Sequence, residues 1–134
     1  MAGFLLSGVS IDGAGAVRVF VYGTLRKGQA NHGQLRSAEF LGRHRTEPEF
    51  RMLDLGPYPG VARGGRTAIT GEVYAINQTI LVRLDRLEDY PQTYDRERLA
   101  TPWGPAFIYL YRWPTLDSPT VASGDWPSHR ARRS

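Results

Sequence analysis

A chain of 134 residues, 41% of them hydrophobic, fits a single domain with a real core, and its fifteen Gly and nine Pro favour a turn-rich β fold over a helical bundle. It contains no Cys, which excludes disulfides, thiolate catalysis and Cys-based zinc sites and fits the reducing, cytoplasmic compartment. The net charge of +4 does not point to nucleic acid: Arg130, Arg132 and Arg133 lie in the last five residues, and no basic stripe interleaved with aromatics occurs in the body of the chain.

Residues 1–16 are glycine-rich and weakly patterned and read as a flexible leader. Their apolar Phe4-Leu5-Leu6 lacks the basic start of a signal peptide, and no apolar run reaches the ~20 residues of a membrane helix. Residues 17–22 predict a strand, apolar on both faces and therefore central. A loop follows over 23–28, then a short helix over 30–37 weakened by Gly33. Strands are expected over 39–46 and 50–55 around a turn at Pro48. The run Gly56-Pro57-Tyr58-Pro59-Gly60 predicts a shaped loop, and Gly64-Gly65 another turn. Residues 68–76 read as a strand. Asn77 is a fitting N-cap for a helix over 78–89, stopped by Pro91. Residues 94–101 and 106–113 predict two strands around the turn Pro102-Trp103-Gly104-Pro105. Phe107, Tyr109, Tyr111 and Trp113 share one face of the second strand and Ile108 and Leu110 the other, so it is buried on both sides, as in a barrel. Residues 114–134 read as irregular. One domain over 17–126 is expected, with 127–134 a basic flexible tail.

Two features carry chemistry. The first is Val19-Phe20-Val21-Tyr22-Gly23-Thr24-Leu25-Arg26-Lys27-Gly28, an apolar strand running into a glycine-punctuated loop. Such a loop exposes backbone N–H groups that can hold an anion. An ordinary strand-to-helix turn is the competing reading. The spacing is neither G-x-G-x-x-G nor a Walker loop, so nucleotide binding is disfavoured. The second feature is Glu88. At about 100° per residue from Ile80, Leu87, Leu84 and Leu81 define an apolar arc about 120° wide, and Glu88 falls inside it near 80°. The competing readings are a carboxylate turned to solvent or paired with Arg96 or Arg98. Helix-end position and apolar neighbours both raise its proton affinity, which suits a group that takes and returns a proton near neutral pH.

Other candidates are weaker. His32, His44 and His129 lack metal-ligand spacing, and no H-E-x-x-H or G-x-S-x-G occurs. Thr24 and Ser37 have no local base for a triad. Among the aromatics Tyr94 stands out, because it follows Glu88 closely after a Pro-containing turn.

The segments Tyr22-Gly23-Thr24-Leu25-Arg26-Lys27-Gly28-Gln29-Ala30-Asn31-His32, Gly71-Glu72-Val73-Tyr74, Leu84-Asp85-Arg86-Leu87-Glu88 and Tyr94-x-Arg96 resemble the gamma-glutamylcyclotransferase-like superfamily. The resemblance is closest to its small gamma-glutamylaminecyclotransferase branch and short bacterial relatives, and it covers about residues 18–113. Ser123-Gly124-Asp125-Trp126 also looks like the tail of the short bacterial members. The resemblance implies an α+β fold, a compact mixed β-barrel with flanking short helices. It implies release of 5-oxoproline and a free amine or amino acid from a gamma-glutamyl compound, without metal or cofactor. It maps substrate binding onto Tyr22, Gly23, Thr24 and Leu25, with Tyr94 added here, and the catalytic glutamate onto Glu88. Some short bacterial members lack that glutamate; this chain has it. The leader and the Arg-rich end depart from the family pattern. A non-catalytic module binding a small acidic metabolite is the alternative on the same fold. No motif identifies the leaving amine or the oligomeric state, and neither a nucleic acid nor a membrane partner is expected.

Overall fold

A computed structural model describes residues 17–133, so the expected leader over 1–16 lies outside the described residues. The strands are β1 (Val17–Val21), β2 (Glu39–Arg45), β3 (Phe50–Asp54), β4 (Pro59–Arg63), β5 (Thr70–Ile76), β6 (Tyr94–Leu99) and β7 (Ala106–Tyr111). The helices are α1 (Gln78–Leu87) and α2 (Trp126–Arg133), and a 3-10 turn spans His32–Leu35. The fold is α+β. A five-stranded mixed sheet has the order β2-β5-β1-β7-β6, and β3 and β4 form a separate hairpin. β1 runs parallel to β7 and antiparallel to β5, with Val21 opposite Glu72. None of the described helices is long and apolar enough to cross a membrane.

The expected barrel is not closed: the ladder starts at β2 and ends at β6. The two-sided burial that suggested a barrel arises from layers instead. On one face of the sheet, Val19, Val21, Tyr74 and Tyr109 pack with Ile80, Leu81 and Leu84 of α1. On the other, Phe20, Tyr22, Ile108 and Leu110 pack with Phe50, Met52 and Val61 of the β3–β4 hairpin and with Trp126 of α2. The period-2 alternation of β1 and β7 thus feeds two cores, one on each side of a shared sheet.

The helix forms where expected because Asn77 caps it, its Oδ1 accepting from the Ile80 N–H at 2.8 Å. It ends at Leu87, two residues earlier than the pattern suggests. Glu88 becomes the C-cap and Asp89 turns into left-handed backbone at φ 52°. The helix expected over 30–37 is only the short 3-10 turn. The Pro/Gly run over 56–60 ends in regular structure: Pro59 opens β4, a strand-first position where its missing N–H is tolerated. The C-terminal segment is also corrected. In place of irregular chain and a basic flexible tail, Trp126–Arg133 is helical, with Trp126 buried and His129 Nε2 2.9 Å from Asp54 Oδ2.

Candidate active site

β1 delivers Tyr22, Gly23, Thr24 and Leu25 to one wall of a cavity of about 280 Å³. The end of α1 brings Leu87 and Glu88 to the same cavity, the start of β6 brings Tyr94, and the hairpin corner brings Tyr58 and Pro59. All six site residues expected from the sequence therefore line one cavity.

The loop is held from behind. Arg26 N–H bonds to the Gly23 carbonyl at 3.1 Å and Asn31 N–H to the Thr24 carbonyl at 2.8 Å. Asn31 Nδ2 also donates to Thr24 Oγ1 at 2.9 Å, leaving the hydroxyl hydrogen of Thr24 available. The N–H groups of Gly23, Thr24 and Leu25 are not taken up by any acceptor among the described residues. Unsatisfied donors lining a cavity favour an anionic ligand. Gly23 is required by close approach: a Cβ there would lie 2.7 Å from Pro59 Cγ.

Glu88 is half-buried as a residue, and the burial of its carboxyl raises its pKa from 4.5 to about 7. No hydrogen bond or ion pair among the described residues holds that carboxyl. Both cations that could have neutralised it are engaged elsewhere, Arg98 over the Phe107 ring at 5.6 Å. Arg96 forks onto Asp85 at 2.9 and 3.0 Å, and Tyr109 donates its hydroxyl to the same Asp85 at 2.7 Å.

The tyrosines stay protonated. Burial first, and then the neighbouring Tyr94 and Glu88, push Tyr22 well above its ordinary value. Burial and the proximity of Glu88 do the same for Tyr94. Both phenol hydrogens are committed, Tyr22 to the Tyr109 carbonyl at 2.7 Å and Tyr94 to the Pro59 carbonyl at 2.8 Å. Towards a ligand these rings offer shape and acceptor lone pairs rather than mobile protons.

Sequence reasoning missed the support behind the loop. Arg26 is buried, with Nη1 2.7 Å from Asp125 and Nε 3.5 Å from Glu72. Glu72 also accepts from the Lys27 N–H at 3.0 Å and from Tyr74 Oη at 2.9 Å. The signal available was a carboxylate inside an apolar strand, Glu72 between Thr70 and Tyr74. The three histidines take separate places: His32 contacts the Leu25 carbonyl, His44 packs edge-on to Phe20, and His129 pairs with Asp54. Among the described residues no cluster of His, Asp or Glu is arranged to hold a metal.

The family model for "Gamma-glutamyl cyclotransferase, AIG2-like" matches residues 19–128. A "Putative gamma-glutamylcyclotransferase" of Vibrio cholerae is 44% identical over 108 residues, 81% of this chain and 93% of that protein. Among solved structures, an uncharacterized protein from Pyrococcus horikoshii superposes with a TM-score of 0.75 at 29% identity, covering 87% of this chain and 95% of that one. An AIG2-like protein from Mus musculus superposes at 0.71 with 29% identity, covering 82% and 88%.

Proposed function

Because the chain belongs to the gamma-glutamyl cyclotransferase, AIG2-like family, we propose that it cyclises a gamma-glutamyl amine or peptide, releasing 5-oxoproline and a free amine or amino acid. The observation that carries this reading is Glu88: a carboxyl in the cavity, without a counter-ion, whose burial holds its pKa at about 7, facing a loop of unsatisfied N–H donors.

In this reading the N–H groups of Gly23, Thr24 and Leu25 hold the substrate's α-carboxylate, with Tyr22 and Tyr94 as walls. The α-ammonium gives a proton to Glu88, because a protonated amine has no lone pair with which to attack. The freed nitrogen adds to the γ-carbonyl carbon and closes a five-membered ring. The oxyanion collapses as the bond to the leaving nitrogen breaks. Two protons pass from the attacking to the leaving nitrogen, and Glu88 is their carrier. Since the nucleophile is already tethered, folding the substrate supplies much of the acceleration, by analogy with intramolecular reactions whose effective molarities reach about 10⁵–10⁸ M. A placed acid/base adds about 10²–10⁴-fold. Nothing in this scheme asks for a metal or cofactor.

The test is a panel of gamma-glutamyl amines and dipeptides with 5-oxoproline as the readout, run on the wild type and on Glu88→Gln. Release by the wild type and its loss in the variant is the expected result. Binding of the panel without any release would leave a binding module for a small acidic metabolite.

A further inference from the structure

A second groove adjoins the first. It is lined by Asn31, Gln34, Arg36, Ser37 and Arg83, and Asn31 borders both cavities. α1 spans both as well: Leu87 lines the first and Arg83 the second. Residues four apart lie on one face of a helix, about 6 Å along its axis. The two hollows therefore run on from one another along the Arg83–Leu87 edge of α1 and share Asn31.

The charge of the second groove is one-sided. Arg36 and Arg83 line it, and no Asp or Glu does. Arg83 donates to the Gln34 carbonyl at 3.2 Å. The Arg36 guanidinium makes no hydrogen bond or ion pair among the described residues, and no carboxylate there pairs with either guanidinium. Two like charges facing one hollow repel each other, and an anion placed between them relieves that repulsion. Guanidinium forks match a carboxylate in shape as well as charge.

We propose that Arg36 and Arg83 form a subsite for an anionic group on the departing half of the substrate. This deepens the cyclotransferase reading and rests on it for the identity of the ligand. The α-carboxylate of the gamma-glutamyl half sits on the Gly23–Leu25 loop. The amide to be cleaved lies near Glu88. The leaving half then extends by about one helical turn, past Asn31, to the two arginines.

The experiment compares gamma-glutamyl-alanine with gamma-glutamyl-alaninamide, which match in size and differ in one charge. Calorimetry on Glu88→Gln measures binding without turnover. The carboxylate compound is expected to bind about fivefold more tightly, as two solvent-exposed ion pairs allow. That preference should vanish when Arg36→Gln and Arg83→Gln are added, and it should shrink as salt is raised. Equal affinities, a preference that survives the two Arg substitutions, or no binding of either compound overturns the subsite. Turnover by the wild type is read separately. If neither compound yields 5-oxoproline while the charge preference and its dependence on the arginines hold, the cyclotransferase reading fails and the anion subsite stands.

Discussion

Glu88 combines two influences that act in the same direction. Burial disfavours its charged form, and the negative end of α1 lies beside it. With a pKa of about 7 the group is part ionised at neutrality, able both to accept and to return a proton. As the proposed base it must be ionised to start the reaction, so kcat/KM should climb as pH rises through about 7, and a pH profile reads this limb directly. Glu88→Gln keeps the volume and removes the proton carrier. It should fold, bind ligand, and lose at least about 10²-fold in kcat, with circular dichroism and 5-oxoproline affinity separating folding and binding from chemistry. Stability gives an independent check. The folded-state pKa lies above the ordinary 4.5, so the native state binds the extra proton between pH 4.5 and 7 and loses stability as pH rises across that window. The melting temperature of Glu88→Gln should therefore match the wild type near pH 4.5 and exceed it above pH 7. A variant that is no more stable at pH 8 would mean that the carboxyl is solvated. Gly23 makes a second prediction at this scale. Gly23→Ala drives a methyl to within 2.7 Å of Pro59 Cγ. Overpacking of this kind costs about 1–3 kcal/mol. Turnover should fall with it, because the loop and the hairpin corner that meet at the cavity wall must separate.

At the scale of elements, the loop after β1 is positioned by segments far away in the chain. Arg26 bridges Glu72 of β5 and Asp125 just ahead of α2, and Glu72 ties the Lys27 N–H to the Tyr74 hydroxyl. The side chains of Arg26 and Glu72 are both only 7% exposed. Removing one partner of a buried pair leaves the other charge unsatisfied, typically at about 3–5 kcal/mol. Arg26→Met should accordingly lower the melting temperature markedly and weaken ligand binding. Adding Glu72→Leu removes the stranded carboxylate and should recover much of the stability. Binding should not recover with it, since the Lys27 N–H then has no acceptor to fix the loop. Joint recovery of both would show that the network serves stability alone. The contact of α2 with the rest of the fold has the same character. Trp126 is buried in the hairpin-side core, and Arg130 Nη1 donates to the Gly56 carbonyl at 2.5 Å.

At the scale of the whole molecule, the cavity is assembled from both sides of the sheet. Glu88 comes from the helix side, while Tyr58 and Pro59 come from the hairpin side, and β1 and β6 bring Tyr22 and Tyr94 between them. Such a site needs every layer in place, so ligand binding should be lost together with the global fold rather than with local opening. The donor set facing the cavity is oxygen and amide with a single free carboxylate, and no His, Asp and Glu cluster is gathered among the described residues. Turnover should accordingly be the same with and without a strong chelator. A complete, metal-reversible loss would require a different account of how the carbonyl is polarised.

Local pattern was enough for much of this. The strand-loop motif at Tyr22, the Asn77 cap, the apolar arc of α1 and the place of Glu88 within it all follow from spacing of three to five residues, because backbone periodicity fixes which face a side chain takes. That β1 and β7 are buried on both faces was legible in the same way. What covers those faces was not. A barrel and a layered sheet demand the same alternation, and only the packing of α1 on one side and the hairpin with α2 on the other decides between them. The partners of charges were likewise undecided, since an ion pair depends on distance in space and not along the chain. Arg96 stood within reach of Glu88 on paper and folds instead onto Asp85, 11 residues away. Arg26 finds Asp125 across 99 residues. Those two choices leave Glu88 without a counter-ion and fix the loop opposite it, and they were made by the tertiary structure alone.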